Sequence, residues 1–217
     1  MKLSIKIRIF STLLVGAVCS AVVASAGTGF NLSTKGTKTV ALNSKVGTNQ
    51  AQFSSKAPLE NIDGGTATVS GSFALDLSNL EATTGKVLVA VNTMQTGVAL
   101  RDKHLQEKDW LDAESFPNIS FEIKKLSGVQ VVSSGGGKGV AKATAEGIFS
   151  LHGVGKAISV PIEITYIEKA PNDVVMVKVS DFPVSLKDHG VSGRKGIIGS
   201  KVSEVITIKA TLYGSTN

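Results

Sequence analysis

Ile158-Ser159-Val160-Pro161-Ile162-Glu163-Ile164-Thr165-Tyr166 is the stretch that decides the fold. Its apolar side chains fall at every second position, so an extended chain would carry one apolar face and one polar face. The same period places Val69, Phe73, Leu75 and Leu77 on one side of a strand, Val87, Val89 and Val91 on a second, and Ile119, Phe121 and Ile123 on a third. Further strands are expected at 140–151, 174–180 and 202–213, with two more near 39–42 and 50–55. The count approaches eight. Between the strands stand the turn signals Asp63-Gly64-Gly65, Thr84-Gly85-Lys86, the glycine-rich run from Ser133 to Gly139, and Ala170-Pro171-Asn172-Asp173. Strands joined by short polar turns predict an all-β chain, an antiparallel sandwich or a closed barrel.

One segment breaks the rhythm. From Gly97 to Glu114, Leu100, His104 or Leu105, and Leu111 recur at helical spacing among charged neighbours. A short helical segment around residues 98–113 is predicted there.

The amino terminus reads as a secretory signal: Lys2, Lys6 and Arg8 precede an apolar run from Ile9 to Val23 that ends in Ala24-Ser25-Ala26. The run is short for a bilayer span and holds Gly16 and Ser20, which argues against an anchor. A lipoprotein reading through Cys19 is opposed by the bulky Val18 before it. The expected division is a signal peptide at 1–26, a flexible mature terminus at 27–36 and a single barrel domain at 37–217. Removing the three basic residues of the signal takes the formal charge from +6 to +3, too mild to argue for nucleic acid. Cys19 is the only cysteine, so the mature chain holds no disulfide, thiolate metal site or cysteine nucleophile.

Motifs for chemistry are sparse. Gly153-Val154-Gly155-Lys156-Ala157 is no phosphate loop, because Ser150 stands where its first glycine belongs and Ala157 where a hydroxyl must reach magnesium. His104, His152 and His189 are scattered over three segments without the spacing of a metal site. No Gly-x-Ser-x-Gly elbow occurs, and Asp188-His189 alone makes no triad. The expectation is a protein that is not an enzyme and carries no cofactor.

A set of segments in fixed order resembles the YceI-like polyisoprenoid-binding family of exported bacterial proteins. They are Gln52 to Glu60, Val69-Ser70-Gly71-Ser72-Phe73, Thr96-Gly97 to Arg101-Asp102 with His104-Leu105, Trp110-Leu111-Asp112 leading to Phe116-Pro117 and Phe121, Phe149 to Val154 with Lys156, and Phe182-Pro183-Val184 with Leu186-Lys187-Asp188. Together they span most of residues 50–213. The chain departs from the family at Asp188-His189-Gly190-Val191, where a bulky aromatic often follows the aspartate, and in the glycine-rich run at 135–139. The resemblance implies an extended eight-stranded antiparallel β-barrel, lipocalin-like, around an apolar tunnel for a polyisoprenoid or isoprenoid quinone. It also implies a periplasmic location, a carrier or storage role and transient membrane contact; oligomeric state is left open.

An eight-stranded barrel has an interior that side chains either fill or leave open for one small ligand. In the open case Phe73, Val89, Val91, Leu105, Trp110, Phe116, Phe121, Ile123, Ile162, Ile164 and Tyr166 are the expected apolar lining, and Arg101 and His104 the polar mouth. The competing roles are a local charge pair or cap for Arg101 and Asp102, and packing for Trp110 and Phe116. A chain of roughly forty carbons at about 0.3 kcal/mol per heavy atom would gain about 12 kcal/mol, or nanomolar binding. In the filled case the protein is a structural or protein-interaction module of the cell envelope.

Overall fold

A computed structural model describes residues 27–216; the expected signal peptide lies outside the described residues. Ten strand segments run in chain order: β1 (Thr37–Leu42), β2 (Gln50–Lys56), β3 (Asn61–Thr66), β4 (Val69–Asp76), β5 (Thr84–Ala90), β6 (Asn118–Gly135), β7 (Lys138–Leu151), β8 (Val154–Ile167), β9 (Val174–Ser185) and β10 (Val205–Thr216). One α-helix, α1 (Ala99–Leu105), lies between β5 and β6.

All pairings between these strands are antiparallel, and β1-β4-β5-β6-β7-β8-β9-β10 closes on itself through β1 and β10. The fold is a closed eight-stranded barrel. The remaining segments β2 and β3 extend it at one end. β10 pairs with β1 through Gly214 to Thr216 and with β2 through Thr207 to Thr211, so β1 and β2 act as one long strand interrupted at 43–49. Two asparagines hold that interruption. The Asn43 amide donates to Ala41 O and Ser215 Oγ, while buried Asn49 donates to Asn43 O and accepts the Tyr213 N–H at 2.7 Å.

Two expected turns are strands. Asp63-Gly64-Gly65 belongs to β3 and pairs with β2, while Thr84-Gly85-Lys86 opens β5 between β4 and β6. Their glycines serve close approach: a Cβ on Gly65 would lie 2.4 Å from Ala51 O, and one on Gly85 2.4 Å from Phe73 Cα. The chain reverses instead at the short 3₁₀ turn Leu80–Ala82. The last strand starts at Val205, three residues later than its apolar pattern suggests, because the residues up to 202 form a loop over the barrel end. The predicted helix is also shorter, and Leu100, expected on its inner face, is 65% exposed.

The leader at 27–36 is likewise not a free tail. Phe30 and Leu32 are buried in the core, Phe30 N–H donates to Leu77 O at 2.7 Å, and Asn31 N–H donates to Ser134 Oγ at 2.6 Å. Two apolar side chains in ten residues are enough to dock a short segment wherever a barrel end offers a seat; here Gly139 leaves room for the Phe30 ring.

The interior divides into two clusters. One holds Phe30, Leu32, Phe73, Leu75, Leu77, Leu80, Leu126 and Tyr166 with the inward residues of β7, β8 and β9. Burial pushes the Tyr166 phenol above its usual range, and its hydroxyl donates to Asp173, which adds to the shift. The second cluster, built on Val91, Leu111, Phe149, Leu151, Val184, Leu186, Val191 and Ile206, lies at the other end, beside α1.

Phe30→Ala is expected to lower unfolding stability by about 3 kcal/mol, the usual penalty for truncating a buried aromatic, read as a lower urea midpoint with unchanged slope. A free leader would leave the midpoint where it was.

Candidate functional site

The second cluster does not fill its end of the barrel. A cavity of about 470 Å³ opens there. Its floor and walls come from strand ends: Phe53 and Ser55 of β2, Ile62 of β3, Ile119 of β6, Phe149 and Leu151 of β7, Val184 of β9, and Ile206 and Ile208 of β10. Alternation along each strand aims these side chains inward. The cover is irregular chain. Met94, Thr96 and Val98 lead into α1, which adds Leu100, Arg101, His104 and Leu105; Trp110 and Leu111 follow, and Leu186, Val191, Arg194, Ile197, Lys201 and Val202 come from the chain between β9 and β10.

Polar groups gather at the rim. Arg101 Nη1 donates to Glu60 Oε1 at 2.7 Å and Arg101 Nε to Thr96 Oγ1 at 3.1 Å. Arg194 pairs with Glu107 at 2.5 Å. Lys201 and His104 take part in none of the four ion pairs among the described residues. The Asp102 carboxylate faces Thr96, accepting its N–H at 2.6 Å and its hydroxyl at 2.5 Å. These two bonds, helped by the neighbouring Arg101 charge and opposed by desolvation, hold its pKa below the usual carboxylate range. So Asp102 closes the turn that enters α1, while Arg101 pairs across the mouth with Glu60 instead of with Asp102. Below the rim, Trp110 Nε1–H is buried and has no acceptor among the described residues, an arrangement that costs about 1–3 kcal/mol until an oxygen meets it.

Of the residues expected at a ligand site, Leu105, Trp110, Arg101 and His104 line this pocket. Phe73, Ile162, Ile164 and Tyr166 belong to the filled cluster, with Val89 and Ile123 packed against it. Their faces point inward as the period of two requires, but their half of the bore is occupied by other side chains. Val91 is buried in the second cluster without reaching the cavity, and Phe121 packs against both clusters. Phe116 covers Gly153 and meets the His152 ring edge-on at 5.1 Å, a packing role. His152 also lies beside His189, whose carbonyl is 3.3 Å from His152 Nδ1.

The lining that the sequence reading missed falls into two kinds. Phe149, Leu151, Ile206 and Ile208 sit on strands whose alternation is visible, and only their position along the barrel was hidden. Arg194, Ile197, Lys201 and Val202 sit in a loop with no period, so no sequence signal marks them as lining.

A closed antiparallel barrel packed at one end and hollow at the other is a lipocalin-like barrel. The chain belongs to the YceI-like domain family, which matches residues 31–213. It is 32% identical over 96 residues to a UPF0312 protein of Vibrio vulnificus, covering 44% of this chain and 46% of that one, so it spans about half the length of the curated relatives it matches. Among solved structures it is similar to BcnA of Burkholderia cenocepacia, with TM-score 0.61 and 18% identity over 76% of this chain and 95% of that one. It is also similar to a polyisoprenoid binding domain from Saccharophagus degradans, with TM-score 0.61 and 12% identity over 83% and 99%. The Campylobacter jejuni YceI protein gives TM-score 0.59 and 19% identity over 75% and 89%. At these identities the likeness is one of fold.

Because the folded pKa of Asp102 is lowered, its hold on Thr96 is complete above the unfolded carboxylate value and is lost as pH falls through the lower folded one. Hydrogen exchange should therefore show the Thr96 amide losing protection as the solution becomes acidic enough to protonate Asp102. Asp102→Asn should show weakened protection already at neutral pH. Equal protection in both proteins at neutral pH would remove Asp102 from this role.

Proposed function

We propose that the protein is an exported, non-enzymatic carrier or store for a polyisoprenoid or isoprenoid quinone, held by its chain in the hollow end of the barrel. The observation that carries this reading is the cavity of about 470 Å³ walled mostly by strand-end aliphatic and aromatic side chains, with Ser55 the one polar strand-end residue among them and the charged groups at its rim. That volume lies within the range of roughly 300–1,000 Å³ usual for small-molecule pockets. Membership of the YceI-like family and the likeness to a polyisoprenoid binding domain support the ligand class. Arg101 and His104, both on the lining, supply donors for a quinone carbonyl, hydroxyl or phosphate at the head. The periplasm is the compartment that export and family together favour.

The filled half sets a length. A cavity of about 150 Å³ accommodates benzene, or about 25 Å³ per carbon, so 470 Å³ encloses about twenty carbons. A forty-carbon chain would leave about half its length outside, or would have to displace the cluster around Tyr166.

Lipid extraction and mass spectrometry of the purified protein should return an isoprenoid. Preparations that are reproducibly empty and also refuse added isoprenoids would contradict the proposal. In titrations, lengthening the chain beyond about twenty carbons should give little further gain in affinity. Ile208→Trp should weaken binding at least about tenfold by occupying the cavity, with the fold kept by circular dichroism, and Arg101→Ala should weaken it less, through the head alone. Undiminished binding in Ile208→Trp would place the ligand elsewhere.

A further inference from the structure

The described residues expose six large hydrophobic side chains, and three of them stand around the mouth of the cavity. Leu59 and Leu100, at 71% and 65%, are the two most exposed of the six, and Val98 completes the trio at the mouth. Val98 and Leu100 border the cavity itself. Leu59 is held beside them: its N–H donates to Ser200 O at 3.0 Å, next to Lys201, and the following Glu60 is the partner of Arg101.

Charge is concentrated on the same face. The three segments that frame the mouth, residues 56–60, 98–112 and 192–202, contain Lys56, Arg101, Lys103, Lys108, Arg194, Lys195 and Lys201 against Glu60, Asp102, Glu107, Asp109 and Asp112, a net of +2. Residues 27–217 together carry +3, the +6 of the whole chain less Lys2, Lys6 and Arg8, so these short segments hold two of the three net charges and the rest of the body is at +1. Separate apolar tips set in a basic rim match a surface that is anionic, fluid and apolar a few ångströms below its plane. They lack the contiguous apolar patch by which a protein partner is usually held.

We propose that this rim docks on the surface of an anionic lipid bilayer, with Leu59, Val98 and Leu100 entering the interface and the basic side chains lying among the headgroups, so that the cavity opens toward the membrane. The purpose of docking rests on the lipid-carrier reading, whereas the geometry of the rim does not.

The test is flotation of the protein, in the form the cell accumulates, with vesicles of phosphatidylcholine alone or with about one third phosphatidylglycerol, a composition that supplies the negative surface. The wild type should float with the anionic vesicles, several-fold less with the neutral ones, and be released near 1 M salt, where the Debye length is about 3 Å. Leu59→Ser combined with Lys195→Glu should reduce flotation at least about fivefold. Val132→Ser, an exposed apolar position near the opposite end of β6, should not. Uptake of isoprenoid from detergent should be the same in the rim variant and the wild type, since neither altered side chain lines the cavity. Absence of flotation with anionic vesicles at low salt, or equal loss in the rim and Val132 variants, would overturn docking. A concentration-dependent dimer abolished by the rim variant would also overturn it, giving the face to a second copy of the chain. Normal flotation without isoprenoid uptake would leave docking intact and count instead against the carrier reading.

Discussion

The structure depends on one strand bonding along both of its edges. Along one edge β10 pairs with β9 over nearly its whole length; along the other it takes β1 at its end and β2 at its beginning. Without that shared edge the sheet would be an open ribbon with unpaired backbone groups on both sides. The interruption at 43–49 lets the chain leave the ladder and rejoin it, and the buried side chain of Asn49 supplies a backbone-like partner for Tyr213 where the ladder is missing. Closure fixes which faces turn inward, so the alternation in each strand becomes a single interior.

That interior is filled unevenly, and the unevenness has a visible cause. At one end the bulky side chains Phe73, Leu75, Leu77, Leu126 and Tyr166 meet across the bore, and Phe30 and Leu32 add to them from outside the strands. At the other end no such insertion occurs. The strand ends there are roofed by α1 and the chain at 186–202, which carry aliphatic groups facing down and charged groups at the rim. Packing at the closed end supplies stability without a disulfide, leaving the hollow end free to bind.

The architecture was legible because a period of two survives in nearly every strand, most clearly at Ile158 to Tyr166. The two misread turns came from glycine. Gly64, Gly65 and Gly85 read as turns, yet each lies in a strand where a neighbouring backbone or ring occupies the place of a side chain. The site was legible only in part. Periodicity identifies inward faces, and Ile162, Ile164 and Tyr166 are indeed inward, but it is silent on what stands opposite them across the barrel. Whether an inward side chain lines a hollow or joins a plug is a property of several strands and of Phe30 and Leu32 together. Arg101, His104, Leu105 and Trp110 were found because their segment departs from strand rhythm. Arg194 and Lys201 come from a loop with no pattern, and only the folded chain brings them to the same rim.

Trp110 is the only tryptophan in the chain and lines the cavity, so its fluorescence reports directly on the hollow end. Titration with an isoprenoid quinone, itself a quencher, should quench Trp110 in a saturable manner with one ligand per protein, and Ile208→Phe, which narrows the cavity without adding a second tryptophan, should weaken that quenching. Saturable binding of the quinone that leaves Trp110 emission unchanged, or no binding at all, would contradict the claim that the ligand occupies this end of the barrel.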